Sequence, residues 1–389
     1  MNTINKSGFN LLKLVFFLCV CISVVYADSS SFNRKPLFAS GQDGYDTYRI
    51  PSIIATSKGT VLAVCEGRKE GVSDTGDIDL ILKRSEDSAK TWSETKLIWS
   101  DGNNTCGNPC LVENKKTGTI FLFSTWNLGS DHEREILKGQ SKDTRRVYYL
   151  KSSDEGKTWS KPVEITKDSK KEYWKWYATG PGVGIQLEYG LYKGRLVIPA
   201  NHSYIGPEGN VFGSHVIYSD DNGQSWNLSD SILPGLNESQ VVELIDGKLL
   251  MNMRNYRYRG SRGLAFSTNG GQSWPYTAFK SNLIEPRCQA AILRYSPNEQ
   301  NTKSCILFCN PESITQRVKM TVKMSFDEAK TWPVSKTVYE GPSAYSCMAV
   351  LPDNRICCFF ESGKKNPYER IELAVFTLDW LKDGNESKR

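Results

Sequence analysis

The sequence predicts an all-β fold, a six-bladed β-propeller. Three features of its 389 residues say so: five copies of one turn motif, six copies of a short apolar strand, and no long helical period to compete with them.

The motif reads Ser, any residue, Asp or Asn, any residue, Gly or Ala, any residue, Ser or Thr, Trp. It occurs as SEDSAKTW from Ser85, SSDEGKTW from Ser152, SDDNGQSW from Ser219, STNGGQSW from Ser267 and SFDEAKTW from Ser325. Asp and Gly suit a hairpin turn, hydroxyls bond its backbone, and Trp buries against the sheet. The strands are GTVLAVCE from Gly59, GTIFLFST from Gly118, GRLVIPAN from Gly194, GKLLMNMR from Gly247, SCILFCN from Ser304 and NRICCFFE from Asn354. A turn residue before a run of Val, Ile, Leu and Phe reads as a buried strand. Each of the first five strands is followed by the motif. The sixth is followed by IELAVFTLDW, a last strand. Six sheet units with five motifs fit a propeller closed by joining its first and last blades.

The first 27 residues read as a signal peptide: Lys6 and Lys13, then an apolar run ending Val25-Tyr26-Ala27. Residues 28–389 are expected to form one propeller domain, secreted or delivered to a secretory or lysosomal lumen, with no stable membrane insertion. The net charge of +6 falls to +4 without the two leader lysines, too mild to suggest a nucleic-acid partner. Sequons stand at Asn103, Asn201, Asn227, Asn237 and Asn385. Of 11 cysteines, Cys19 and Cys21 lie in the leader; among the rest, Cys106 and Cys110 are the expected local disulfide. Three histidines and no two-residue Cys spacing argue against zinc. GPGVG at Gly180 lacks the strand-to-helix setting of a dinucleotide loop.

Several apolar strands end in charge: Glu66 and Arg68, Arg254, Glu361. Charge there is unfavourable in an apolar core and sensible in a polar cleft. These residues, the repeated Trp motif and the YRIPS stretch with Arg49 resemble the sialidase (neuraminidase) family, its Asp-box and its Arg-Ile-Pro signature. The resemblance covers nearly all of the mature chain. It implies that Arg49, Arg254 and Arg317 bind the substrate carboxylate, for which the guanidinium fork is suited. Arg287 is the nearby alternative to Arg317. Tyr345 resembles the nucleophile and Glu238 its base, with Glu243 the competitor. Asp74 resembles the general acid/base, with Asp77 and Asp79 its rivals on the same loop. Glu361 resembles the acid that holds the first arginine, and Arg68 a residue that contacts the far side of the sugar. Asn108 stands where many relatives show Asp beside the sugar O4 and N-acetyl region. Val183 stands where many carry His.

The implied activity is that of a retaining exo-α-sialidase acting on glycoproteins, glycolipids and oligosaccharides, with no cofactor and no catalytic metal. Two other readings stand beside it, of which the first uses the same residues. One is a trans-sialidase, whose relatives usually add a large lectin domain for which this chain is short. The other is a non-catalytic sialic-acid-binding propeller, expected to have lost Tyr345, Asp74 or an arginine.

Overall fold

A computed structural model describes Met1, residues 30–296 and residues 304–383; the expected leader and Asn385 lie outside the described residues. The strands form six antiparallel blades around one axis. Blade 1 comprises Thr47–Ala55, Val61–Arg68, Ile78–Ser85 and Lys96–Trp99. Blade 2 comprises Thr105–Asn114, Thr119–Asn127, Arg146–Ser152 and Val163–Glu164. Blade 3 is built on Tyr177–Thr179, Leu196–Gly206, Gly209–Ser219 and Asn227–Leu228. Blade 4 comprises Leu236–Glu243, Leu249–Asn255, Arg262–Ser267 and Tyr276–Lys280. Blade 5 takes Ala291–Tyr295, Cys305–Pro311, Val318–Ser325 and the first half of the long strand Val334–Val350. The second half of that strand opens blade 6, followed by Ile356–Ser362 and Arg370–Phe376.

The fourth strand of blade 6 is Phe32–Ala39, from the other end of the chain, paired antiparallel with Arg370–Phe376. This closure explains the missing sixth motif. Each Trp motif is the turn between the third and fourth strands of its blade, and in blade 6 those strands are not consecutive. In the first copy Ser85 Oγ donates to Asp87 Oδ1 at 2.8 Å and accepts from Ala89 N at 3.0 Å, while Thr91 Oγ1 donates to Asp87 Oδ2 at 2.6 Å. The turn needs two successive left-handed residues, Ser88 and Ala89 here and Gly270 and Gly271 in the fourth copy. That requirement favours Asn, Gly and small residues.

The six apolar runs are the second strand of each blade, one place out from the axis. Cores form between neighbouring blades: Val112, Phe121 and Phe123 of blade 2 pack against Tyr177, Ile198 and Ile217 of blade 3. The expected Cys106–Cys110 disulfide is absent, and all nine described cysteines are free and buried. A register shift between Gly107 and Cys110 sends the two side chains into different inter-blade cores. Of the described sequons, Asn103 and Asn227 are exposed whereas Asn201 and Asn237 are buried. No helix among the described residues is long and apolar enough to cross a membrane.

Blade 3 buries an imidazole pair. His202 Nδ1 meets His215 Nδ1 at 3.0 Å, His215 Nε2 meets Tyr177 Oη at 3.0 Å, and Trp174 stacks on His202. Burial, helped by the Lys171 charge, pulls His202 down to about 3, and burial with His202 as neighbour pulls His215 well down. Both imidazoles are neutral in the fold and protonate in the unfolded chain below about pH 6.5. The unfolded state therefore binds more protons, and stability is lost as pH falls from about 6.5 towards 3. By NMR, two of the three imidazole signals are expected to stay neutral down to pH 4.5, with the thermal midpoint falling over that range. Both signals titrating near pH 6.5 would refute this assignment.

Candidate active site

Four of the innermost strands break register at the same end of the axis. The breaks lie at Arg49/Ser52, Gly107/Cys110, Leu236/Ser239 and Ser343/Ser346. Each holds or borders one of the residues singled out from sequence: Arg49, Asn108, Glu238 and Tyr345. A bulge leaves a residue unpaired and re-aims its side chain, here into the axial cleft. The second strands return to the same end and finish on Arg68, Arg254–Asn255 and Glu361–Ser362. Arg317 sits just before the third strand of blade 5.

Glu361 ties these pieces together. It is fully buried. Its Oε1 accepts from Arg49 Nε at 2.7 Å and from Ile50 N at 2.9 Å; its Oε2 accepts from Tyr345 N at 3.1 Å. Ile50 has φ +60°, a strained position for a β-branched residue, so one carboxylate pins a strained bulge and the neighbouring bulge in blade 6.

The three arginines surround Tyr345. The guanidinium carbons of Arg49 and Arg317 lie 5.2 and 5.5 Å from its ring centre, and Arg254 Nη1 donates to its hydroxyl at 3.0 Å. That hydroxyl donates to Glu238 Oε1 at 2.6 Å, while Glu238 Oε2 pairs with Arg254 Nη1 at 2.7 Å. Burial pushes the Tyr345 phenol well up, the Glu238 charge adds to this, and Arg254 and Arg317 oppose it. Arg317 donates to Tyr368 Oη at 2.8 Å and to the backbone oxygen of Arg287 at 3.3 Å. Arg287 itself turns to Tyr256.

Asp74 reaches over the cleft with about half its side chain exposed, 2.8 Å from Arg68 Nη2 and 3.6 Å from Arg49 Nη1. Burial among neighbouring groups pushes its carboxyl up, but Arg68 and then Arg49 outweigh this and hold it at about 2. Asp77 and Asp79 face Lys69, and Asp79 also accepts from Tyr45 Oη at 2.9 Å. Glu243 lies at the far end of its strand, accepting from Glu188 N and Tyr189 N. Arg68 spends all five donors on Glu66, Asp74, and the Val72 and Ser73 carbonyls. Val183 bridges to Leu111 away from this end.

Sequence reasoning missed Tyr368, whose ring lies 4.2 Å under Arg49, and Arg145, beside Asn108. Arg145 precedes the third strand of blade 2 as Arg317 precedes that of blade 5, so repeat position was the signal that could have found it. Burial draws its guanidinium down to about 10.

The BNR repeat-like domain model matches residues 59–358. A sialidase of Micromonospora viridifaciens is 32% identical over 363 residues, covering 90% of this chain and 54% of that protein. The chain thus spans about half the length of that relative. An exo-alpha-sialidase of Aspergillus fumigatus is 32% identical over 379 residues, covering 88% of this chain and 86% of the fungal one. Among solved structures, the Hadza microbial sialidase Hz136 superposes with a TM-score of 0.79 at 27% identity, over 90% of this chain and 69% of that one.

Glu361→Gln removes the counter-charge of a buried arginine and sets an amide against backbone donors. The expected loss is at least about 2 kcal/mol of stability, read as a lower urea midpoint at constant slope. A midpoint within experimental error of the wild type would remove Glu361 from this central role.

Proposed function

Because the chain belongs to the BNR-repeat sialidase family, we propose that it is a secreted exo-α-sialidase releasing terminal α-linked sialic acids from glycoconjugates with retention of configuration. The observation that carries this reading is the contact of Tyr345 with Glu238 at 2.6 Å and with Arg254 at 3.0 Å. An attacking oxygen, a base and a cation for the resulting phenolate stand in hydrogen-bonding contact. The maturing protein loses residues 1–27, and residues 28–389 form the catalytic domain.

Arg49, Arg254 and Arg317 take the substrate carboxylate and so place C2 against Tyr345. A carboxylate nucleophile there would face a like charge, worth roughly 4 kcal/mol of repulsion at 4 Å and an effective dielectric of 20. A phenol kept neutral by burial avoids that repulsion until it attacks. As the glycosidic C2–O bond breaks, the leaving oxygen takes a proton from Asp74. The Tyr345 oxygen bonds to C2 and its proton passes to Glu238. Asp74, now ionised, takes a proton from the water that attacks C2; the bond from C2 to the Tyr345 oxygen breaks, and Glu238 returns its proton to the departing phenolate.

In the empty site Asp74 is ionised by its arginine neighbours. A bound carboxylate draws on the field of Arg49 and adds negative charge nearby, which raises the Asp74 carboxyl and loads it with a proton. Arg68, saturated by its own loop, fixes where that proton is offered.

Tyr345→Phe removes the attacking oxygen. We expect kcat to fall at least about a hundredfold, some 2.7 kcal/mol, with folding unchanged. Proton NMR in the first minutes of wild-type turnover should show α-sialic acid before β; β first would exclude a covalent Tyr345 intermediate.

Asp74→Ala should impair substrates with poor leaving groups far more than an aryl sialoside, which needs little protonation. Equal impairment of both would mean that Asp74 is not the acid.

A further inference from the structure

Asp74 stands on a loop that is held from two sides. Residues 69–77 join the second and third strands of blade 1. From blade 1, Arg68 grips this loop at the Asp74 carboxylate and at the Val72 and Ser73 carbonyls. Between the loop and blade 2 lies a cavity of about 200 Å³ whose walls include Arg68, Ser73, Thr75, Gly129 and His132. A loop beside a cavity gains little from packing there, so polar contacts at its edge decide where it stands.

The second hold comes from blade 2. Residues 128–145 join the strands Thr119–Asn127 and Arg146–Ser152 and carry the short helix Glu133–Lys138. This segment and the Asp74 loop occupy the same place in neighbouring blades. His132 Nδ1 meets Thr75 Oγ1 at 2.9 Å. Thr75 is buried; its hydroxyl lies 3.4 Å from Ser73 Oγ, which accepts from Thr75 N at 3.3 Å. The contact therefore joins both chain neighbours of Asp74 to blade 2. A hydroxyl both donates and accepts, so either imidazole tautomer can make it.

His132 is exposed, and its place is set by the chain around it rather than by burial. Asp131 is 2% exposed; its Oδ1 accepts from Lys142 N at 3.1 Å and its Oδ2 from Asp143 N at 2.9 Å. Asn127 Nδ2 donates to the Leu128 and Asp131 carbonyls at 2.9 and 3.3 Å. On the other side His132 N donates to Glu135 Oε2 at 3.1 Å, and Ile136 is buried. Gly129 runs so close to its neighbours that a Cβ there would stand 1.8 Å from Asn103 O and 3.3 Å from Gly76 C. The segment thus offers the imidazole to the Asp74 loop from a fixed base.

We propose that His132 is a positioning residue for Asp74: through Thr75 it latches the Asp74 loop to blade 2 and so sets where the acid's proton is offered. The inference rests on the sialidase reading above, in which Asp74 protonates the leaving oxygen. Arg68 fixes the carboxylate from blade 1, and His132 fixes the flanking backbone from blade 2. Proton transfer needs hydrogen-bonding reach, and a displacement of about 1 Å can cost about a hundredfold in rate.

The test is steady-state kinetics on sialyllactose, whose leaving hydroxyl needs the proton, and on an aryl sialoside, which needs little. His132→Ala should lower kcat/KM for sialyllactose at least about fivefold and leave the aryl sialoside within about twofold. His132→Asn, whose amide can take the place of Nδ1, should restore most of that loss. Thr75→Val removes the hydroxyl and keeps the shape; it should repeat the His132→Ala pattern, and it carries the test where His132→Ala does not fold. Equal loss on both substrates, no loss on sialyllactose, or an Asn variant no better than the Ala variant each overturns the latch while leaving the sialidase reading intact. A wild type that cleaves neither substrate removes that reading, and this inference with it.

Discussion

The buried carboxylate of Glu361 is the interaction on which the rest of the site depends. It accepts from a side chain of blade 1, from the backbone of blade 1 and from the backbone of blade 6. Those blades are the first and last of the ring, so the contact lies where the chain must close on itself. It also holds Ile50 in a conformation that a β-branched residue avoids. Arg49 can then point into the cleft with its guanidinium braced from behind by Glu361 and from the side by Tyr368. In the proposed reaction, an arginine held in this way loses little freedom when it meets a carboxylate.

The same device recurs around the axis. Glu66 accepts from Asn108 N at 2.7 Å, holding the blade 2 bulge as Glu361 holds those of blades 1 and 6. Glu66 also holds Arg68, which holds Asp74. The acid/base of the proposed reaction is therefore positioned through a chain of charges that begins on a strand end. The Asp-box turns stand at the opposite end of the blades, where their hydroxyl and carboxylate bonds fasten the outer strands. The repeated turns thus fasten the blades at the face opposite the cleft, while the cleft face carries the strained bulges that its buried carboxylates hold.

Charge balance separates the two sides of the cleft. Around Tyr345, Arg254 is paired with Glu238 and Arg49 with Glu361, while Arg317 faces only neutral oxygens. One net cation in that sector suits one carboxylate. Across the axis, Arg145 donates to Asn108 and Thr125 and makes no ion pair among the described residues.

The repeat by itself specifies the architecture. Five Trp motifs and six apolar strands specify blade number and closure, because every blade must bury the same two faces and turn at the same place. Arg254 and Glu361 were legible as charges at the ends of repeated strands, whereas Arg49 and Tyr345 were singled out through the resemblance of their stretches to the family. Arg145, Tyr368 and the binding role of Glu66 were not, since each acquires meaning only from what it meets in space: Asn108 and Thr125 within blade 2 for Arg145, Arg49 across the ring closure for Tyr368, and the Asn108 amide of the next blade for Glu66. The Cys106–Cys110 pairing failed for a related reason. Sequence spacing sees two residues four apart, but the bulge between them, imposed by the tertiary need to aim Asn108 inward, turns one thiol into each of two cores. Local pattern determined which residues form strands and turns; only the closed ring decided which charges meet.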